Sequence, residues 1–329
     1  MAKKSSTFSA RNTLPPGTLV GGYRILRTLG KGGFSLIYLA VDEDTEDEVV
    51  VKEYLPKKLA HRDLYMQVVP VDRKHEERLY RGRKLFFQEA KTLASLQHPN
   101  IVRVLGFFLA NNTAYMVMQY ERGRNLGSYI HERKGGLSTS FIIQIFLPIL
   151  DALALIHSRS LLHLDVKPGN IHLRHGNNPL LLDFGAVHSL SHGRTPRGQV
   201  ITAGYSPVEQ YYRGGNIGPW TDVYAVGASI RTCIEGKPPP PSIERQGAKP
   251  MKPSKVQFRD RYPSFLLEAV DWAMEMEPEA RPQNAGELLQ ALRKFAEDLP
   301  SSRLSELSHF DSSQLPSSKK AQPEAKKAE

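Results

Sequence analysis

The chain changes texture once, and that change constrains its fold more than any other feature. From Tyr23 to about Tyr120 the apolar residues fall in short runs rich in β-branched and aromatic side chains: YRILRTL, FSLIYLAV, EVVVKEY, IVRVLGFFL and TAYMVMQY. Gly, Asp and Asn bound these runs, the pattern of strands joined by turns. One stretch departs from it. Leu85, Phe86, Ala90, Leu93 and Leu96 recur at helical spacing and predict a helix over 83–96. Beyond Tyr120 the helical period takes over, with helices expected at 139–158, 219–235, 264–276 and 284–297. A small sheet-rich unit followed by a larger helical one predicts an α+β, two-lobed domain over 21–298, divided near residue 120. No internal repeat interrupts it.

Residues 1–20 and 299–329 are rich in Ser, Lys and Pro and read as disordered tails. They hold part of the net charge of +10: Lys3, Lys4 and Arg11 stand without an acid at the start, and residues 299–329 carry five basic side chains against four acidic, leaving about +6 for the middle of the chain. That excess is not gathered on one helix or stripe with base-reading partners, so no nucleic-acid partner is expected. The start has no apolar core and is not a secretory signal. The longest apolar stretch, Phe141 to Ile156, is broken by Gln144, Pro148 and Asp151 and falls short of the roughly 20 residues a membrane span needs. No membrane span is expected, and a soluble, cytoplasmic protein is. The single cysteine, Cys233, excludes an internal disulfide and lies in an apolar run as a buried thiol.

Three groups of residues carry chemistry. Gly30-Lys31-Gly32-Gly33-Phe34-Ser35, with Ile37 beyond it, lies between two predicted strands, where glycines let backbone N–H groups approach phosphate oxygens. It does not lead into a helix, so neither the P-loop nor the dinucleotide reading fits. Lys52 ends the strand EVVV, and Glu89 lies on the helix that follows; a buried lysine needs a partner, and a pair of this kind can still aim its ammonium at a phosphate. The third group is His163-Leu164-Asp165-Val166-Lys167-Pro168-Gly169-Asn170, followed by Leu182-Asp183-Phe184-Gly185. Asn170 and Asp183 offer the hard oxygens that Mg²⁺ or Mn²⁺ prefers, leaving Asp165 free to orient a hydroxyl. Each residue alone reads as a turn residue. The set in this order does not.

These motifs, in this order, resemble the eukaryotic-type protein kinase family from about Tyr23 to Leu299. The resemblance adds Ser206-Pro207-Val208-Glu209, the run from Asp222 to Gly227, and Arg281 as partner of Glu209. It implies a two-lobed kinase fold, with an antiparallel N-lobe sheet, one key helix and a mainly helical C-lobe. It also implies ATP and a divalent metal. Lys52, held by Glu89, would meet the α- and β-phosphates; Asp165 would be the base, Lys167 would neutralise the γ-phosphate, and Asn170 and Asp183 would bind metal. Adenine would meet the backbone of Gln119 and Glu121 behind Met118, Asn125 the ribose, and Val50 and His172 the pocket walls. Lys167 and Thr202 resemble the serine/threonine branch, so protein substrates with Ser or Thr acceptors are expected. The string VKEYLPKKLAHRD and the segment 57–83 are similar to bacterial members.

Departures from the family pattern matter as well. Leu164 replaces the usual arginine that grips an activation-segment phosphate. The expectation is activity without phosphorylation of that segment, where Ser189, Ser191 and Thr195 are the candidate autophosphorylation sites. Ser35, Val50 and His172 predict a tighter or more polar nucleotide pocket. The charged segment 57–83 reads as a solvated insertion. Three rival readings compete with the kinase reading: a pseudokinase scaffold, a small-molecule kinase of the aminoglycoside or choline type, and a binding module acting through its basic tails.

Overall fold

The computed structural model describes residues 12–183, 188–189, 201–246 and 251–297. The N-terminal lobe is built on one antiparallel sheet of six strands, β1 (Leu19–Val20), β2 (Tyr23–Lys31), β3 (Ser35–Asp42), β4 (Glu48–Tyr54), β7 (Val104–Ala110) and β8 (Thr113–Gln119), in the spatial order β1-β2-β3-β4-β8-β7. The last five are the five apolar runs of the sequence. In the middle of the sheet, β4 pairs with β3 on one side and β8 on the other; Val49 and Val51 are buried, and so are Lys52 and Glu53. A separate hairpin, β5 (Ala60–Arg62) and β6 (Val68–Pro70), follows.

Helix α1 (Glu76–Ala94) begins two turns before the predicted residue 83. The stripe that faces the sheet is Leu79, Phe86, Ala90 and Leu93, and only Leu79 marks it in the polar stretch Glu76 to Arg83. Gly82, normally unfavourable inside a helix, is required here: a Cβ at that position would come within 1.9 Å of the Tyr54 hydroxyl.

Two sequence expectations are corrected. Residues 12–20 are not a tail but part of the domain: Leu14 is buried, its N–H donates to Tyr38 Oη at 3.2 Å, and Asn12 accepts from Arg62 at both Oδ1 (2.7 Å) and its carbonyl (3.0 Å). The segment 57–83 is likewise more than a solvated insertion. Arg62 turns inward and pairs with Glu53, both side chains fully buried, while the hydroxyls of Tyr38 and Tyr115 also donate to Glu53. Burying two opposite charges is tolerable only when the remaining hydrogen-bonding positions are filled, and here they are. Residues 1–11 and the predicted C-terminal tail lie outside the described residues.

The C-terminal lobe is helical, with α2 (Leu126–Arg133), α3 (Thr139–Ser158), α4 (Pro219–Glu235), α5 (Ser264–Ala273) and α6 (Ala285–Glu297). Helix α4 is buried all round from Thr221 to Ile234, the signature of a central core helix. Helix α3 is started by Ser138, which caps the Phe141 N–H, and it packs against α4 and α6. By length and mean hydropathy (2.0) α3 could cross a membrane, but half of it is buried in this lobe, so core packing accounts for its apolar composition. Between the lobes run β9 (Arg124–Asn125), β10 (Leu161–Leu162), β11 (Ile171–Leu173), β12 (Pro179–Leu181) and β13 (His188–Ser189); β9, β11 and β12 form one small sheet, β10 and β13 a pair.

Candidate active site

The loop between β10 and β11 is fastened from below by one residue of α4. Asp222 is completely buried and accepts from the backbone N–H groups of His163 (2.8 Å) and Leu164 (2.7 Å) and lies 3.0 Å from His157 Nε2. Burial alone would raise its pKa, but the hydrogen bond and charge of His157, with His163, outweigh it and hold the carboxyl below the usual range. Leu164 takes a left-handed backbone, φ 61°, a conformation that costs an L-residue about 1–3 kcal/mol. It is over-determined there: Asp222 holds its N–H, Gln210 Nε2 donates to its carbonyl at 3.0 Å, and its side chain is buried.

On that loop four side chains converge. The Asp165 carboxylate accepts from Lys167 Nζ at 2.8 and 2.9 Å, from Thr202 Oγ1 at 2.7 Å and from Asn170 Nδ2 at 3.0 Å. Asn170 Nδ2 also reaches the Asp165 carbonyl at 2.8 Å, which fixes the amide with its Oδ1 on the side away from these two bonds. The Leu182 N–H donates to the Asn170 carbonyl at 2.8 Å, so Asp183, the next residue, is carried to the same place, with φ 55°. His163 Nε2 lies 3.1 Å from the Leu182 carbonyl and ties the two loops a second time. The three oxygen-bearing groups singled out in the sequence, Asp165, Asn170 and Asp183, therefore share one cleft.

Lys52 comes to this cleft from the other lobe. Its ammonium is buried and donates to Asp183 Oδ1 at 2.6 Å. Burial works against its charge, but Asp183 and then Glu89 outweigh that cost and lift its pKa above the ordinary lysine value. The expected Lys52–Glu89 ion pair is not formed. Asp183 claims the ammonium, and Glu89, although near enough to interact electrostatically, keeps Oε1 buried with no hydrogen-bond partner. Burial accordingly pushes the Glu89 pKa up to about 7, Lys52 opposing and Asp183 adding to the rise.

Above the cleft, Gly30 and Lys31 end β2, and Gly32, Gly33 and Phe34 turn the chain into Ser35 of β3, closed by the Gly32 N–H to Ser35 carbonyl bond of 2.9 Å. The turn is pinned to the end of β4 by Leu55 N–H to Phe34 carbonyl and Lys57 N–H to Gly33 carbonyl, both 3.0 Å. Phe34 is exposed, and Ile37 and Val50 are half-buried, Val50 lying between Leu39 and Met118 in the sheet register. On the opposite wall His172 of β11 sits against the backbone of Glu121 and Arg122, its Nε2 buried without a partner, and burial lowers its pKa below the usual histidine value. Gly123 makes this possible: at φ 155° its position would carry a Cβ 2.6 Å from that nitrogen. Gln119 and Glu121 occupy the strand end and the connection between the lobes, with Gln119 Nε2 donating to Glu121 Oε1 at 3.2 Å. Asn125 has a further use that the sequence did not reveal: its Oδ1 caps α2 through the Ser128 N–H at 2.7 Å.

Glu209 and Arg281 form the buried bidentate pair expected of them, at 2.7 and 3.2 Å. Asp222 and His163 lie in the motifs quoted from the sequence, but their joint anchoring of the loop with His157 and Gln210 was missed. The available signal was an acid and a neighbouring histidine set in apolar strings, where burial demands partners. Phe184, Gly185, Ser191 and Thr195 lie outside the described residues, and Ser189 ends the short strand β13.

Known proteins place this arrangement. Residues 23–310 match the family described as "Protein kinase domain". Serine/threonine-protein kinase PknB of Mycobacterium leprae is 31% identical over 291 residues, covering 84% of this chain and 43% of its own length. Serine/threonine-protein kinase D of Synechocystis is 31% identical over 286 residues, covering 83% and 52%. PrkC of Bacillus subtilis is 30% identical over 220 residues, covering 67% and 31%, so the chain spans only a third to a half of these relatives. A solved structure titled "PpkA-294 apo form" superposes with a TM-score of 0.76 at 33% identity, covering 85% of this chain and 99% of that one. With fold, motif order and these matches in agreement, the chain belongs to the protein kinase domain family, and its similar relatives are mostly bacterial serine/threonine kinases.

Proposed function

We propose that the chain is an ATP-dependent serine/threonine protein kinase, and the observation that carries this reading is the Asp165 carboxylate bonded at once to Lys167, Thr202 and Asn170. The residues fit a nucleotide triphosphate with its metal. Asn170 Oδ1 and the Asp183 carboxylate are the hard oxygens that Mg²⁺ takes; Lys52 is a buried cation beside them; and the turn at Gly32 and Gly33 carries no side chain that would fill the space above. Among the described residues no group of three or more His, Cys, Asp or Glu forms a metal site, so Asn170 and Asp183 are the residues that would hold the ion.

Bound MgATP would supply the γ-phosphoryl group, with ADP as the leaving group. Asp165 aims the acceptor hydroxyl and receives its proton. Lys167 would neutralise charge on the transferring group, and Lys52 would turn from Asp183 to the phosphates, leaving Asp183 and Asn170 to hold the metal. Little covalent chemistry is asked of the protein; positioning and charge neutralisation do the work. Thr202, on Asp165 and Lys167 together, supports serine and threonine as acceptors. Leu164 supports activity without a phosphorylated activation segment, because the side chain that would grip the phosphate is a buried hydrocarbon.

The test is incubation of the purified chain with γ-labelled ATP and Mg²⁺ beside an Asp183→Asn variant, followed by mapping of labelled residues. Label on Ser and Thr in the wild type, and little in the variant, is expected. No label in either, or equal label in both, would refute the reading.

A further inference from the structure

A cavity of about 220 Å³ opens beside the catalytic loop, lined by Gly127, Ile130 and His131 of α2, Pro168 and Gly169 of the loop, and Tyr205 with Thr232 behind it. Its position follows from the chain itself. Pro168 and Gly169 are the two residues between Lys167 and Asn170, both of which touch the Asp165 carboxylate. The Tyr205 N–H donates to the carbonyl of Thr202, whose hydroxyl is on that same carboxylate. The cavity therefore borders the point at which a peptide would present its hydroxyl to Asp165, within reach of a neighbouring side chain.

Among the described residues the cavity offers that side chain no carboxylate. Its polar groups are His131 and a hydroxyl pair, Thr232 Oγ1 and Tyr205 Oη, which bond each other at 3.3 Å, with Thr232 also donating to the Ala228 carbonyl. The acids on the flanking helices are already engaged, Glu132 by Arg124 and Glu235 by Arg231 and Lys237. The start of α2 is no better for an anion, since Asn125 already occupies the Ser128 N–H. A cation or an anion entering this space loses hydration and gains no partner, whereas an apolar side chain gains by leaving water.

Resting on the kinase reading above, we infer that this cavity selects protein substrates with an apolar, uncharged residue at one fixed position near the phosphorylated Ser or Thr. Two variants reverse the rule by adding a carboxylate at the rim. Gly169 is exposed, and a Cβ there meets nothing within 4 Å, so Gly169→Glu is accommodated. His131 is exposed on α2, so His131→Glu is a second, independent route.

The experiment is a positional-scanning peptide library phosphorylated by the full chain and by both variants. For the wild type, one position is expected to favour Leu, Ile, Met or Phe over Arg and Glu by about tenfold, and at least one variant is expected to recover Arg at that same position. Wild-type transfer that is indifferent at every position, or that prefers Arg, Lys, Asp or Glu there, overturns the inference and leaves the kinase reading standing. Retained apolar preference in both variants, each shown to be folded and active, overturns it as well. No transfer to any peptide or protein overturns the kinase reading, and the inference falls with it.

Discussion

Replacing Glu89 by glutamine exchanges a buried carboxyl for a neutral group of the same shape, and the consequence can be worked out from the structure. Burial has carried its pKa from the ordinary 4.5 up to about 7. At about 1.36 kcal/mol per pKa unit, that difference is on the order of 3 kcal/mol. Because the folded-state pKa lies above the unfolded one, the folded protein holds the extra proton between about pH 4.5 and 7. The group's stabilisation is complete below the lower value and lost as pH rises through the upper one. Glutamine keeps the protonated form's neutrality at every pH. Near pH 5 the two proteins should therefore melt together; at pH 8 Glu89→Gln should be more stable by about 1–3 kcal/mol, or several degrees in Tm. Paired thermal melts at these pH values, without nucleotide, are the assay. Parallel pH profiles, or a variant less stable at pH 8, would refute the argument. Since nucleotide binding is expected to turn Lys52 toward Glu89, the stabilised variant should also be the poorer kinase.

Three further outcomes are expected. Arg62→Met leaves Glu53 buried without its cation and should cost about 3–5 kcal/mol in chemical denaturation, most of it recovered by adding Glu53→Gln; equal stability of the single variant would show that the pair does not hold the β5–β6 hairpin. Joint replacement of Ser189, Ser191 and Thr195 by alanine should change initial rates by less than about tenfold, or about 1.4 kcal/mol in barrier, since Leu164 has no group to bind a phosphate; a larger loss would count against it. Val50→Ala should lower the KM for ATP by relieving the wall beside Met118, and an unchanged KM would remove the steric argument.

Much of this was legible in the sequence because it depends on local pattern. The β-branched runs that form β2, β3, β4, β7 and β8 and the apolar faces of α3 to α6 are dictated by burial along the chain, whereas the Glu209–Arg281 pair was implied by the family resemblance. What escaped was decided by packing between distant segments. Leu14 reads as a tail residue until Tyr38 and Arg62 are in place to receive it and Asn12. The first turns of α1 carry a single inward residue, Leu79, and a glycine that only the nearness of Tyr54 explains. Asp222 looks like one acid in an apolar helix, and its three partners come from residues 58 to 65 positions away. The choice of Lys52 between Asp183 and Glu89 is a matter of conformation, on which the residue types are silent.

The central claim is that one carboxylate, on Asp165, orients and deprotonates the acceptor while Asn170, Asp183 and Lys52 serve the nucleotide. Asp165→Asn tests it most directly, with MgATP binding followed by thermal shift and phosphoryl transfer measured on the same preparation. The variant should retain the stabilisation that MgATP confers and lose transfer by about 10²–10⁴-fold. Transfer at the wild-type rate would contradict the account.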